Sequence, residues 1–439
     1  MTDLIESKPG TQGQFMTDRQ QRIGAFAATL LLLLGSAGAA SAVDLNLTNS
    51  VVGFHNPVGI DFQDISGKLI LTANYPTGLP DNLELVDPGT GVAVPFSSLV
   101  GLTNELKVAT VRAGNCQGGF TAGESFTGNG NLGQIVRISA NGATVQNPWL
   151  TLPGEPALLR GSIGQDRFCA ASGDLIVVTG NEQNGTAAND NIGNVWRITS
   201  AGVPSLIATV GTHLEGVTTI PNVPALYGPL AGRILAGAEE FLLLGRPNQT
   251  AADYNPDGGA IYVIDPNGSG VWFTISNGHL LAAPCLLDIN GQATPNHCNF
   301  HTAAAFHPED LDVIRRNSQF FGVAYTDGQV LTTQPADFDP FCAQVLITQE
   351  SPFAGTSGLS ALSWDGTQFV ARPLTTNRII QQWEHVTFTA GQDCVGPPST
   401  PVPTLSDVAM LALGAIIVLT GLAMLSLNPS VGRRRIGHF

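Results

Sequence analysis

Short runs in which apolar and polar residues alternate dominate the chain from about residue 50 to 390. One kind of run opens with Gly or another polar residue, as in Gly67–Asn74 (GKLILTAN), Gly173–Asn181 (GDLIVVTGN) and Gly232–Glu239 (GRILAGAE). Gln319–Asp327 (QFFGVAYTD) is a looser copy. Because successive side chains of a strand point to opposite faces, this alternation predicts β-strands and not helices.

A second kind of run is a strand that closes on a turn. The examples are Gly133–Gly142 (GQIVRISANG), Gly193–Gly202 (GNVWRITSAG) and Gly259–Gly268 (GAIYVIDPNG). The Asn-Gly endings predict hairpin turns, because Asn and Gly tolerate positive φ.

A third, short element precedes some of the Gly-led strands, at His55–Ile60, His213–Val217 and His307–Leu311. Four-stranded antiparallel meanders recurring every 45 to 70 residues or so are typical of a β-propeller. We therefore predict an all-β fold, a β-propeller of about six blades, for the domain spanning residues 43–394. Residues 75–130 are too irregular for this count, and a pair of β-sandwich domains is the alternative.

The alternation resembles that of NHL and SMP-30/strictosidine-synthase-like propellers over about residues 50–390. In those families, strands that begin with Gly and then alternate are paired with strands that end in a polar turn and Gly. The resemblance implies the propeller fold for the body of this chain.

The N-terminal residues 1–42 have the features of a leader and a cleaved signal peptide. Arg19 and Arg22 precede an apolar stretch at Ala25–Leu34, and Ala40-Ser41-Ala42 supplies small residues before a cleavage site at Val43. The apolar stretch is too short to favour a retained membrane helix. We expect the body to be exported.

The C-terminal segment predicts a single transmembrane helix. Residues 408–427 carry no charge, and Arg433, Arg434 and Arg435 follow them. Twenty apolar residues suffice to cross a bilayer, and the arginines orient the C-terminus towards the cytoplasm. The body would then lie on the other side of the inner membrane, joined to the helix through the Pro-rich linker 395–402.

Residues 403–439 resemble the IPTL-CTERM sorting signal, a relative of PEP-CTERM signals. The resemblance lies in the motif Val402-Pro403-Thr404-Leu405-Ser406, followed by the apolar helix and the arginines. It departs from the family at Val408 and Ala409, where Trp and Gly are usual, and in the late position of the arginines. It implies an exosortase-type processing enzyme as partner, with the body left at the surface or released. An ordinary single-span anchor is the alternative.

Composition narrows the possible partners. The net charge is −15, with only 12% charged residues, so nucleic acid is excluded as a partner while divalent cations and neutral glycans remain. The six cysteines all lie in the exported domain, which predicts three disulfides. Of the fifteen pairings that six cysteines allow, we favour the neighbour pairing. These bonds are Cys116–Cys169, Cys285–Cys298 and Cys342–Cys394.

Propeller geometry predicts one channel mouth where the innermost strands begin and the second strands end. Carboxylate and amide side chains occur at these positions, and such groups in calcium-dependent lactonases and related six-bladed propellers hold one hard cation. That resemblance makes Ca²⁺ a candidate cofactor, although these residues could instead be ordinary polar loop ends. The residues are His55, Glu215 and Glu309 at strand beginnings, and Asn74, Asn181, Glu182, Glu239, Glu240 and Asp327 at strand ends.

Three further motifs have weaker interpretations. Asp253, Asn255 and Asp257 open like a calcium loop, but Ile261 and Ile264 break the pattern, which favours a turn. His297-Cys298 and His301 near Cys285 have zinc-ligand residue types, yet exported cysteines favour a disulfide. Gly128–Gly133 satisfies GxGxxG but precedes a predicted strand, so a dinucleotide site is excluded.

The sequence thus indicates an exported cell-envelope or surface protein whose propeller binds an unknown extracellular ligand. The alternative is a calcium-dependent, lactonase-like hydrolase on the same scaffold. A redox propeller with a quinone cofactor has no supporting cysteine motif or basic pocket.

Overall fold

The structure is a computed structural model, and the residues it describes lie between 44 and 394. The undescribed stretches inside this range are 75–81, 101, 103–104, 115, 156–158, 160, 181–192, 211–212, 239–258, 277–278, 287–307 and 350–356. The signal peptide, the linker, the sorting motif and the predicted membrane helix at 408–427 lie outside the described residues. Within them, no helix combines the length and apolarity needed to cross a bilayer.

The described strands form six sheets, arranged as six blades. Strand β1 (Thr48–Val52) belongs to the last blade. Blade 1 consists of β2 (Ile60–Gln63), β3 (Lys68–Ala73), β4 (Asn82–Val86) and β5 (Ala93–Pro95). Blade 2 consists of β6 (Val108–Thr110), β7 (Ser125–Gly128), β8 (Gln134–Ile138) and β9 (Val145–Thr151). Blade 3 consists of β10 (Ile163–Gln165), β11 (Leu175–Val178), β12 (Asn194–Ile198) and β13 (Pro204–Thr209).

The later blades are less regular. Blade 4 has five strands, β14 (Val217–Thr219), β15 (Ile234–Ala238), β16 (Ala260–Ile264), β17 (Val271–Ser276) and β18 (His279–Leu286). The short helix α1 (Pro224–Tyr227) and a 3-10 turn at Gly228–Leu230 join β14 to β15. The remaining strands are β19 (Pro308–Val313), β20 (Phe320–Ala324), β21 (Gln329–Thr332), β22 (Val345–Gln349), β23 (Leu359–Trp364), β24 (Phe369–Pro373) and β25 (Trp383–Phe388). A second 3-10 turn, Asp339–Phe341, precedes β22.

Blades 5 and 6 exchange strands. Blade 5 has the order β19-β22-β23-β24, and blade 6 has the order β25-β20-β21-β1. The hairpin of β20 and β21 lies between the blade 5 strands β19 and β22 in sequence, but it forms the two middle strands of blade 6. The edge strands of blade 6 are β1 and β25, from the two ends of the domain. Gln319–Asp327 follows Glu309 in sequence but lies in a different blade, because β20 pairs with β25 and β21 and not with β19. The ring closes by hydrogen bonds between distant parts of the chain.

Six parallel strands surround the central channel. They are β2, β6, β10, β14, β19 and β25, each lying beside the next around the axis. We name the end where these strands begin the entrance end, and the end where they finish the exit end. Within a blade, each strand pairs antiparallel with its neighbours. These pairings confirm the predicted six-bladed propeller and exclude two β-sandwiches.

The hydrophobic core lies between the blades. The buried apolar residues of the described chain form six clusters, one at each interface between neighbouring blades. Because a blade is covered on both faces, its second strand is buried along its whole length, as in Leu175–Val178 and Ile234–Ala238. Outer strands keep a solvent face, as in Val145–Thr151.

The predicted turns and two of the predicted disulfides are present. Gly142 and Gly268 have φ of +74° and +75°, and a Cβ at Gly142 would overlap the Phe96 carbonyl oxygen. Cys116 is bonded to Cys169 and Cys342 to Cys394, and both bonds lie at the exit end. The predicted pairing of Cys285 with Cys298 falls outside what the structure describes.

Candidate functional site

A cluster of charges fills the entrance end of the channel. Lys107, directly before β6, has a side chain with 0% exposure, and its ammonium donates hydrogen bonds to three glutamates. The distances from Nζ are 2.6 Å to Glu105 Oε1, 3.1 Å to Glu309 Oε1 and 3.2 Å to Glu384 Oε2. Glu215 Oε2 lies 3.8 Å from the same Nζ. We call these five residues the entrance cluster.

Lys107 is charged in this cluster. Burial alone would lower its pKa, but the four surrounding carboxylates overcome this effect and raise the pKa well above its usual value. One ammonium faces four carboxylates, so the cluster has an excess of acidic groups. His213, whose Nε2 is hydrogen-bonded to Glu215 Oε1, lies at its edge. The arrangement attracts cations and repels anions.

The glutamates have the geometry of a possible metal site. Oxygens of Glu105, Glu215 and Glu309 lie within 4.8 Å of one another, and hard cations prefer such oxygens. Glu215 Oε2 is buried and makes no hydrogen bond to any described residue. However, the Lys107 ammonium lies among these same oxygens. A metal ion held by all three carboxylates would therefore compete with Lys107 for them.

The structure brings together two of the residues predicted at the mouth, Glu215 and Glu309. Asn74 is half-buried and its backbone N–H donates to the carbonyl oxygen of His55, whose side chain is exposed. Asp327 lies in the exposed turn between β20 and β21. The remaining predicted positions fall outside the described residues: Asn181, Glu182, Glu239, Glu240, the loop Asp253, Asn255 and Asp257, and the zinc candidates His297, Cys298 and His301.

Sequence reasoning missed Lys107, Glu105 and Glu384. Glu105-Leu106-Lys107 precedes an innermost strand of three residues, in the segment that was too irregular to divide into strands. The same position, directly before a short inner strand, had identified Glu215. A search for charged residues ahead of every short apolar run would have found Lys107.

Deeper in the channel, Ser162, Asp310 and His385 line a cavity of about 40 Å³, enough for one or two waters. Ser162 Oγ and Asp310 Oδ2 lie 3.4 Å and 3.6 Å from His385 Nδ1. Because both contact the same nitrogen, the three residues do not form a Ser-His-Asp relay, which uses both ring nitrogens. His385 Nε2 makes no hydrogen bond to the described residues.

Burial controls the protonation of this middle layer. It raises the pKa of Asp310 to about 8, against the lowering effect of the Val386 and Leu311 N–H groups, which donate to its carboxylate. Burial, and then the Lys107 charge, lower the pKa of His385 well below its usual value. His385 is therefore neutral at physiological pH. A neutral imidazole beside a largely protonated carboxyl limits the charge in the channel centre.

A second charged group, the exit cluster, closes the other end. It consists of Asp61, Asp64, Arg112, Arg167 and Asp312. Asp61 accepts from both guanidiniums, from the Thr110 N–H at 2.7 Å and from the Thr387 hydroxyl at 2.8 Å. Burial opposes ionisation of Asp61, but Arg112 and Arg167 keep its pKa below the usual value. The cations and carboxylates here are nearly balanced.

No protein-family model matches this sequence, and no curated protein is similar to it at a significant level. Solved structures are similar only at a distance. A nidogen/laminin complex structure is 10% identical, covering 76% of this chain and 86% of that chain, with a TM-score of 0.39. A Xanthomonas campestris gluconolactonase is 12% identical, covering 68% and 93%, with a TM-score of 0.36. A Lactobacillus plantarum protein is 15% identical, covering 77% and 90%, with a TM-score of 0.39.

These similarities are too distant to bear on function, and the strand order itself establishes the fold. The described chain is a six-bladed β-propeller with buried ion pairs at both ends of its channel.

Proposed function

We propose that this protein is an exported propeller of the cell envelope that acts by binding and not by catalysis. In this proposal an exosortase-type enzyme recognises the C-terminal signal, and the body is displayed at the surface or released. The signal-peptide pattern, the tail motif and the disulfides at the exit end all support export, because disulfides persist in oxidising compartments.

One observation favours binding over hydrolysis: the Lys107 ammonium lies among the carboxylates that a catalytic metal would need. Its hydrogen bonds of 2.6 Å to Glu105 and 3.1 Å to Glu309 go to two of the three carboxylates of the candidate metal site. A lysine cation neutralises charge but cannot act as a Lewis acid for a substrate carbonyl. The propeller is then a rigid scaffold that presents its faces to a ligand.

The alternative is a calcium-dependent, lactonase-like hydrolase. The excess of carboxylates over cations favours it, and so does Glu215 Oε2, which accepts no hydrogen bond from a described residue. Glu105, Glu215 and Glu309 would hold the ion, and Ca²⁺ would supply charge stabilisation at a carbonyl oxygen. Lys107 would have to withdraw from the cluster for this to happen.

Calcium content and lactone hydrolysis separate the two functions. Protein recovered from the envelope fraction would be analysed for bound calcium and assayed on simple lactones, as wild type and as Glu215→Gln. Glu124→Gln is a matched control, since Glu124 is ion-paired to Arg137 outside the channel. We expect substoichiometric calcium and no hydrolysis. One calcium per chain with hydrolysis lost only in Glu215→Gln would establish the enzyme.

Intact-mass analysis tests the export part. We expect the mature N-terminus at Val43 and loss of the segment after the 402–406 motif in envelope or released protein. A full-length protein found only in the cytosol would contradict the proposal.

A further inference from the structure

The exit face contains a larger cavity than the channel does. Its volume is about 550 Å³, within the range of about 300 to 1,000 Å³ that is usual for small-molecule sites. The residues around it come after the innermost strands of blades 2 to 6, so the cavity lies on the face opposite the entrance cluster. Those the argument uses are Arg167, Phe168, Val223, Leu226, Tyr227 and Arg315.

One wall of the cavity is apolar. Val223 directly precedes α1 and Leu226 lies within it, and both line the cavity together with Phe168. Leu226 is buried and packs in the core between blades 4 and 5, whereas Val223 is 40% exposed at the rim. An apolar surface held in place by the core suits the flat face of a ring or a short hydrocarbon body.

Positive charge lies beside this apolar wall. The Arg315 guanidinium lies 5.9 Å from the centre of the Phe168 ring, and its Nη2 donates to Asp393 Oδ1 at 2.9 Å. Arg315 Nε is buried and makes no hydrogen bond to the described residues. Asp393 is 83% exposed, so solvent weakens this ion pair and Arg315 can exchange it for a ligand anion. A guanidinium that stacks on a ring and has a replaceable partner is suited to bind a carboxylate.

Two neighbouring groups add polarity. Arg167 extends from the exit cluster into the wall of the cavity while it keeps its ion pairs with Asp61 and Asp312. Burial raises the pKa of Tyr227, so its phenol stays protonated as a hydrogen-bond donor.

The rim of the cavity is held covalently. Cys116 and Cys394 both line it, and each is in a disulfide to a different part of the chain, Cys169 and Cys342 respectively. A rim fixed in this way loses little conformational entropy when a ligand binds. The cavity is thus prepared in the unbound protein.

We propose that this cavity is the ligand site of the propeller and that it takes a compact organic anion: a carboxylate on a planar apolar body. The carboxylate lies against Arg315 and the planar body against Phe168, Val223 and Leu226. The entrance cluster, rich in carboxylates, would repel such a ligand, so of the two described channel ends the exit end fits it better. This inference rests on the proposed binding function and names its site.

The test uses 2-naphthoate as the probe and its neutral amide, 2-naphthamide, as the matched ligand, titrated calorimetrically into the mature protein. We expect saturable binding of naphthoate at or below low-millimolar concentration, and binding of the amide weaker by about tenfold or more. Arg315→Gln should lower naphthoate affinity by about tenfold or more. Val223→Trp, at the exposed rim, should abolish binding by filling the cavity.

Arg137→Gln is the control variant. Arg137 is also paired with a carboxylate and stacked on aromatic rings, but it lies outside the cavity. The proposal is overturned if a cooperatively folding wild type shows no saturable binding, if the amide binds equally well, or if Val223→Trp or Arg315→Gln binds naphthoate like Arg137→Gln. None of these results would bear on export and processing, which are tested by intact-mass analysis. Conversely, a protein that is not exported would contradict the proposed function but would not change this titration.

Discussion

At the entrance end of the channel one ammonium, that of Lys107, lies among four glutamates, whereas at the exit end two guanidiniums share three aspartates. The entrance cluster depends on one cation, and every carboxylate in it loses its common partner if that cation is removed. The exit cluster is distributed: Asp61 is bound by both arginines and by two threonines. Single substitutions should therefore have unequal effects at the two ends.

The ends also differ in covalent support. Both disulfides of the described residues lie at the exit end, beside the larger cavity. The exit face is thus rigid and nearly balanced in charge, and the entrance end is acidic. A rigid face with a replaceable ion pair suits ligand binding, while a carboxylate cluster around a lysine suits closure of the channel.

The largest effect should come from Lys107→Met. It leaves four buried carboxylates without their ammonium, which should lower the free energy of unfolding by about 3–5 kcal/mol in urea denaturation. Lys68→Met, at the half-buried start of β3, is the control and should change stability by less than about 0.5 kcal/mol. Equal effects of the two substitutions would refute the central role of Lys107.

The disulfides come next. The Cys116–Cys169 and Cys342–Cys394 bonds span 53 and 52 residues, so their removal should cost nearly the same. Replacing either pair with serines should lower stability by about 2–4 kcal/mol through the extra freedom of the unfolded chain. Thermal denaturation of the two double variants measures this. A clear difference between them would show that native contacts, and not loop length, dominate.

A smaller loss is expected from Arg167→Met at the exit end. Asp61 keeps Arg112, Thr110 and Thr387 as partners, so the cost should be about 1–3 kcal/mol and below that of Lys107→Met. Arg197→Met, which breaks an ion pair with the buried Asp174 away from the channel, should likewise cost about 1–3 kcal/mol. If Arg167→Met were more damaging than Lys107→Met, the contrast between the ends would be reversed.

Asp310 should also make the stability depend on pH. Its folded pKa, raised by burial to about 8, exceeds the usual 3.8, so the folded state binds more protons between these values. This contribution to stability is present below about pH 4 and is lost as pH rises towards 8. Asp310→Asn should flatten the decline in unfolding free energy across that interval. An unchanged slope would show that Asp310 is not the group responsible.

His385 should make the stability change with pH in the opposite direction. Burial lowers its folded pKa, so the unfolded state binds more protons and stability falls as pH drops below the usual value of 6.5. Just below pH 6.5 the two buried groups therefore change the stability in opposite directions.

The regular parts of the fold were predictable from the sequence. The three Gly-led runs contain β3, β11 and β15, their looser copy Gln319–Asp327 contains β20, and the three turn-closing runs contain β8, β12 and β16. These strands lie within blades, where alternation and Asn-Gly turns are local signals.

The innermost strands were only partly predictable, since the short third elements reach β2, β14 and β19, and the closure of the ring was not predictable. Strands β6, β10 and β14 have three residues each, too few to show a period. The β20–β21 hairpin joins blade 6 through pairing with β1 and β25, and no local pattern reports such distant partners. Lys107 was missed for the same reason, because its partners Glu309 and Glu384 are 202 and 277 residues away in sequence.

Cation binding to wild type and Lys107→Met tests most directly whether Lys107 is the cation of the entrance cluster. Both proteins would be stripped with chelator and titrated with Ca²⁺, with binding followed by calorimetry. The account predicts no saturable binding by wild type and one site per chain in the variant, since the carboxylates of Glu105, Glu215 and Glu309 then lack their resident charge. Stoichiometric calcium binding by wild type, unchanged in Lys107→Met, would contradict it.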